Sequence, residues 1–162
     1  MGTWQVNRFQ ENRWLQWWLR AVAYGFGAGR VPFAPGTAGT LLCLPIWYWT
    51  GGEGAAHFLV LALVFLISVP AIKEAVKCAG HSDPGAVVID EVAGMLVAVT
   101  WIPWSWQSAV AVFLLFRFFD VCKFGPMAWM DAKEEPFYVL ADDVAAGICA
   151  GLVWRGIMWF MG

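Results

Sequence analysis

Two pairs of adjacent carboxylates, Asp90-Glu91 and Asp142-Asp143, stand at the edges of apolar runs, each with a glycine (Gly94, Gly147) about one helical turn further on. An unpaired carboxylate is costly to bury, and two side by side cost more. Four within reach of one another repel strongly unless a divalent cation sits among them. All four are hard oxygen donors with no His or Cys pair nearby, which points to Mg²⁺, or Mn²⁺, rather than zinc. Asp90, Glu91, Asp142 and Asp143 are therefore candidate metal ligands and catalytic residues. His57 and His81 are too isolated to build a metal site. The competing reading makes each pair a solvated helix start, favoured by the positive end of the helix dipole. Against it, the first apolar run already begins at Val87, before its acids.

Cations follow the same logic. Arg117, Asp120 and Lys123 recur every third residue, so one helix would present them on a broad common face. An arginine can grip a phosphate through two parallel hydrogen bonds, and a lysine can add a point charge. Asp120 could ligate metal, act as a general base, or simply neutralise its neighbours. A third element is the glycine-rich stretch Gly25–Thr40, in which Gly36 and Thr37 are candidate phosphate contacts. Glycine lets backbone N–H groups approach an anion closely, and Thr37 or Thr40 could cap a helix beginning near Leu41. The spacing is not that of a P-loop, so a purely structural turn is the alternative.

The elements that must hold these groups are apolar. The 162 residues are 60% hydrophobic and 14% charged, with 12 tryptophans, against about a quarter charged in ordinary soluble domains. Five apolar stretches run over Leu41–Trp49, Phe58–Ile72, Val87–Trp101, Ala109–Phe119 and Val144–Met161. Crossing a bilayer takes about 20 residues; the second and fifth approach that length with their flanks, and the others are short. Residues 3–22 set Trp14, Trp17, Trp18 and Ala21 opposite Arg13, Gln16 and Arg20, as a helix lying in the headgroup layer would. Traced as a zigzag, the turns Thr50–His57 and Ile102–Gln107 fall on one side with Glu53 as their sole charge, and Lys and Arg collect on the other. By the positive-inside rule the charged side is cytoplasmic. The expected fold is all-α: a compact, membrane-embedded helical bundle with an N-terminal interfacial amphipathic helix. A single domain over residues 1–162 is expected, with the interfacial helix at 1–22 and a catalytic core at 23–162. A net charge of −2 without a basic stripe argues against a nucleic-acid partner. The scattered Cys43, Cys78, Cys122 and Cys149 read as filler, and no signal peptide is visible.

In this order the motifs resemble the phosphatidylglycerophosphatase A family. The matching segments are Gly27-Ala28-Gly29 through Pro35-Gly36-Thr37, and Asp83-Pro84-Gly85 through Asp90-Glu91-Val92-Ala93-Gly94. They continue with Phe116-Arg117-Phe118-Phe119-Asp120-Val121-Cys122-Lys123 and Asp142-Asp143-Val144-Ala145-Ala146-Gly147. The resemblance implies a multi-pass enzyme of the bacterial inner (cytoplasmic) membrane, its acidic motifs gathered at one site. It also implies magnesium-dependent conversion of phosphatidylglycerophosphate to phosphatidylglycerol and phosphate, in phospholipid biosynthesis. Two segments depart from the family pattern. Lys123-Phe124-Gly125-Pro126 stands where members carry Lys-Pro-x-Pro, and the bulky, charged Lys133–Leu140 stands where they tend to be glycine-rich.

The expected chemistry is metal-assisted attack of water on a lipid phosphomonoester, with Arg117 and Lys123 stabilising the transferring phosphoryl group. An aspartyl-phosphate route is the alternative. The departures leave room for another lipid or soluble phosphomonoester. A small ion-coupled transporter, or a scaffold with a degenerate site, are rivals from other classes.

Overall fold

The computed structural model describes residues 12–80, 85–133 and 135–161, and every regular element among them is helical. Helices α1 (Arg13–Ala23), α2 (Pro35–Thr50), α3 (Gly54–Ala79) and α4 (Ile89–Ala98) are followed by α5 (Trp106–Cys122), α6 (Pro126–Asp131) and α7 (Pro136–Met161). Tight 3-10 turns over Gly25–Arg30 link α1 to α2, and they break at Phe26 and Gly27, both with positive φ. The expected all-helical bundle is what forms. Of the expected 1–22 amphipathic helix, residues 1–11 lie outside the described residues, as do His81, Asp83, Pro84 and Glu134.

Hydrophobic pattern and length explain the arrangement. Helices α3 and α7 have 26 residues each and are apolar enough to cross a membrane, about 39 Å of helix at 1.5 Å per residue. Most of their surface is not buried inside the protein: Leu59, Leu63, Leu66, Leu152, Trp159 and Phe160 all face outward. A soluble protein rarely exposes so much contiguous apolar surface, which supports membrane association. Of the stretches that looked short, Val87–Trp101 holds a short helix. The ten-residue α4 spans about 15 Å, too little to cross.

Helix α4 is instead the buried centre. Ile89, Asp90, Val92, Ala93, Gly94, Met95, Leu96 and Ala98 are all buried, and the helix packs on α2, α3 and, most extensively, α7. Glycine sets how close α4 and α7 come. A methyl group at Gly94 would sit 2.5 Å from the Asp143 carbonyl oxygen, and one at Gly151 2.5 Å from the Ala98 oxygen. At Gly147 it would collide with the backbone of Gly94. The two backbones touch, as small residues allow in helix pairs packed in lipid.

At one end of the bundle a polar network ties the α2–α3 turn to the α4–α5 turn. Trp101 N–H donates to Gly52 O at 2.7 Å, and Trp47 Nε1 donates to Ile102 O at 2.9 Å. The His57 ring bridges Thr50 at 3.3 Å and Thr100 at 2.9 Å. Arg155 Nη1 reaches the same end, donating to Thr100 O at 2.6 Å. The buried imidazole is thus satisfied by hydroxyls, as a structural histidine is.

Replacing Gly147 by alanine should force α4 and α7 apart; overpacking of this kind costs about 1–3 kcal/mol. Thermal unfolding of Gly147→Ala in detergent is expected at a clearly lower temperature. Gly156→Ala, where a methyl group would meet nothing within 4 Å, should melt like the parent. Equal melting of both variants would mean that the two backbones are not in contact.

Candidate active site

Because α4 and α7 touch at Gly94 and Gly147, the first turn of α4 lies beside the second turn of α7. This places Asp90 and Glu91 next to Asp143. One oxygen from each of the three carboxylates lies within 4.8 Å of the others. Asp90 and Asp143 are 8% and 5% exposed. Asp90 Oδ1 accepts from the Glu91 N–H at 3.2 Å. Glu91 Oε2 is buried with no donor among the described residues. Burial pushes the Asp90 carboxyl up to about 6, against the lowering effect of its hydrogen bonds to the Glu91 side chain and to nearby backbone. Burial, followed by the Asp90 charge, pushes Glu91 well above the usual carboxylate range.

The other expected groups line the same cavity of about 380 Å³: Gly36, Thr37, Arg117, Asp120, Lys123 and Asp142. Helix α2 begins at Pro35 rather than near Leu41, and its N-cap, Ala34, supplies no side-chain cap. Gly36 and Thr37 therefore sit in the first turn, where amide N–H groups have no partner within the helix. Thr40 caps nothing; its hydroxyl donates back to Gly36 O at 2.8 Å within the helix. Gly36 is required for space: a methyl group there would strike Glu91 Oε1 and come within 3.0 Å of Arg117 Nη1. The α2 N-terminus thus packs directly against one acid and one base of the site.

Arg117 Nη1 lies 2.5 Å from Asp120 Oδ2 one turn on, yet among the described residues this nitrogen has no aligned acceptor. The contact is an ion pair with donor capacity to spare. Lys123 is not part of the helical face that the spacing implied. It ends α5 in the left-handed conformation, φ 42°, and its Nζ donates to Asp142 Oδ2 at 2.6 Å and to Asp131 Oδ1. Burial disfavours the charged lysine, but its hydrogen bonds to Asp131 and Asp142 outweigh that effect and raise its pKa.

Of the two adjacent acids on α7, only Asp143 joins Asp90 and Glu91; Asp142 faces Lys123. Both pairs also sit inside their helices, Asp90-Glu91 in the first turn of α4 and Asp142-Asp143 about two turns into α7. Lys133 and Val139, from the Lys133–Leu140 departure that left the substrate open, line the cavity too, and so do Phe33, Val87 and Asp131, which were not among the expected site residues. The only signal for Asp131 was its charge in a segment without a motif. Six acids (Asp90, Glu91, Asp120, Asp131, Asp142 and Asp143) face three cations (Arg117, Lys123 and Lys133) across the cavity. A fully ionised cavity carries an excess of three negative charges, which protonation or a bound cation must offset.

Comparison with known proteins fits this arrangement. The phosphatidylglycerophosphatase A family profile matches residues 21–158. The chain is 35% identical to phosphatidylglycerophosphatase A of Escherichia coli K12 over 149 residues, covering 90% of this chain and 83% of that protein. It is 37% identical to the Haemophilus influenzae Rd protein of the same name, covering 88% and 90% respectively. A Bacteroides thetaiotaomicron relative, provisionally named a phosphatidylinositol-3-phosphatase, is 36% identical over 151 residues, covering 87% of this chain and 94% of that protein. No solved structure matches the chain significantly. With the family profile spanning most of its length and two such relatives bearing the family name, the chain belongs to the phosphatidylglycerophosphatase A family of phosphatases.

Proposed function

We propose that this phosphatase hydrolyses the terminal phosphomonoester of phosphatidylglycerophosphate, leaving phosphatidylglycerol and inorganic phosphate, as a step in phospholipid biosynthesis. The observation that carries the reading is the meeting of Asp90, Glu91 and Asp143 with Arg117 and the α2 N-terminus around one cavity. A divalent cation suits this donor set: three hard carboxylates converge, and a buried Glu91 oxygen has no donor among the described residues. Magnesium or manganese bound by Asp90, Glu91 and Asp143 would supply positive charge to the phosphoryl oxygens and acidity to an attacking water.

The protein's own groups do the rest. Arg117, anchored by Asp120, turns its spare N–H donors toward the phosphoryl group, whose charge spreads over its oxygens as it transfers. Amides of Gly36 and Thr37 add unpaired donors at the positive end of α2. Asp142 and Asp131 hold Lys123 at the cavity wall as a second cation. In this assignment Asp142 positions a base rather than ligating metal, and Asp120 orients Arg117. Water is the favoured nucleophile, since no carboxylate stands apart from the cluster. The enzyme is read as multi-pass in the bacterial inner membrane, with the cavity on the cytoplasmic side where Lys and Arg collect. There a lipid keeps its chains in the bilayer and offers its phosphate at headgroup level.

A second reading, another lipid phosphomonoester, draws on the Bacteroides relative and on Lys133 and Val139. Both belong to the segment that departs from the family pattern, and both line the cavity.

Phosphate release by the purified full chain, screened over several lipid phosphomonoesters, should be greatest with phosphatidylglycerophosphate and should disappear with EDTA. Alanine at Asp90, Glu91 or Asp143 should each remove activity by several orders of magnitude, and Arg117→Ala should lower it about 10²–10³-fold. Near-normal turnover by all three acid variants would defeat the proposal. The cluster should also report metal without turnover. Saturating Mg²⁺ should raise the melting temperature, by about 2.7 kcal/mol of stability at a hundredfold excess over its dissociation constant. In EDTA, Asp143→Asn should melt above the parent because a like charge is gone, and Mg²⁺ should then stabilise it much less. A parent protein indifferent to Mg²⁺ would exclude the metal site.

A further inference from the structure

A second cleft lies between α1, the 3-10 turns and the end of α3, and shares no lining residue with the catalytic cavity. Its walls include Trp17, Arg20, Tyr24, Phe26 and Arg30. Arg20 Nε donates to Gln16 O at 3.2 Å, and Arg20 Nη1 lies 3.2 Å from Cys78 Sγ, a weak acceptor. Arg30 is exposed. Among the described residues neither arginine makes an ion pair, and no acid lines the cleft. Two guanidinium groups with free donors and, among the described residues, no acid beside them form a site for an anion.

Phe26 is the shared border between this cleft and an apolar groove of about 740 Å³. Leu19 and Val22 of α1, Leu42 and Ile46 of α2, and Leu63 and Ile67 of α3 line the groove. Phe26 holds the left-handed conformation at φ 53°, a sparsely populated state for a residue with a side chain. The residue is 73% exposed at the junction, and its ring meets Trp18 edge-on at 6.3 Å. Trp14, Trp17 and Trp18 face outward along α1, as tryptophans do at headgroup depth.

We propose that cleft and groove together bind one anionic phosphodiester lipid of the bilayer, distinct from the molecule being hydrolysed. Its phosphate sits between Arg20 and Arg30, and one acyl chain lies past Phe26 in the groove. Charge complementarity selects this occupant: a zwitterionic lipid would bring its own cation toward two arginines, and an apolar peptide would leave both unanswered. The site ties the enzyme to anionic membrane without using any group of the catalytic cavity.

Native mass spectrometry of the full chain in neutral detergent tests the proposal, titrating phosphatidylglycerol against phosphatidylcholine with identical chains. With two basic residues near its phosphate, one phosphatidylglycerol should be retained about tenfold or more in preference to phosphatidylcholine. Arg20→Gln/Arg30→Gln should erase the preference while keeping the parent's helical content and melting temperature. Leu63→Trp, which crowds the groove from an exposed position, should weaken retention of both lipids. Asp90→Asn/Asp143→Asn should retain phosphatidylglycerol normally, so failure of the catalytic reading would leave this result standing. Equal retention of the two lipids by the parent overturns the proposal. So does a preference that survives loss of both arginines, or one that vanishes in the carboxamide variant, which would place the lipid in the catalytic cavity.

Discussion

The closeness of α4 to α7 is the constraint on which everything else rests. Two helices carrying ordinary side chains pack with axes about 8–10 Å apart. Here Gly94 and Gly147 bring backbone against backbone, and the carboxylates beside the contact come together as a result. Asp90 lies one turn before Gly94, and Asp143 one turn before Gly147. A glycine one turn beyond an acid on each of two touching helices therefore faces the acids toward each other across the same seam. The packing that stabilises the core is also what concentrates like charge at its end.

That concentration opposes folding by itself. Burial already raises Asp90 and Glu91, and the cavity holds twice as many acids as cations. The protein meets part of the imbalance locally, pairing Asp120 with Arg117 and both Asp131 and Asp142 with Lys123. Among the described residues no ion pair reaches Asp90, Glu91 or Asp143, and the orphaned Glu91 oxygen lies there. The N-terminus of α2 closes on this set only because position 36 has no side chain. Acids, cation and helix end are thus held at contact distance by two absences of bulk, one at the helix crossing and one at Gly36.

The two departures from the family pattern have structural answers. Without a proline after Lys123, the chain leaves α5 through a left-handed Lys123 (φ 42°) and then Gly125 (φ 53°, ψ −115°), a conformation suited to glycine. Helix α6 then starts at Pro126 and ends at Asp131, one of the two acids that hold Lys123. The charged segment Lys133–Leu140 is not all loop, since α7 begins at Pro136. Lys133 packs over the Trp129 ring at 5.2 Å and borders the cavity with Val139. Both segments thus contribute to the cavity wall, through Lys123 in one and through Lys133 and Val139 in the other.

The residues themselves determined much of this protein. Apolar content and the lengths of its runs implied helices in a membrane, two acid pairs and a base cluster marked a candidate site, and the ordered motifs pointed to the family. Local pattern could not show which member of each acid pair would converge. Neighbours on a helix point about 100° apart, so the side of α7 pressed against α4 decides that Asp143 meets Asp90 while Asp142 turns to Lys123. Nor could it show that α2 starts at Pro35, that Lys123 leaves its helical face, or that Asp131 belongs to the site. Each of these depends on contacts between segments distant along the chain, and such contacts are set by how closely whole helices pack, which no window of neighbouring residues encodes.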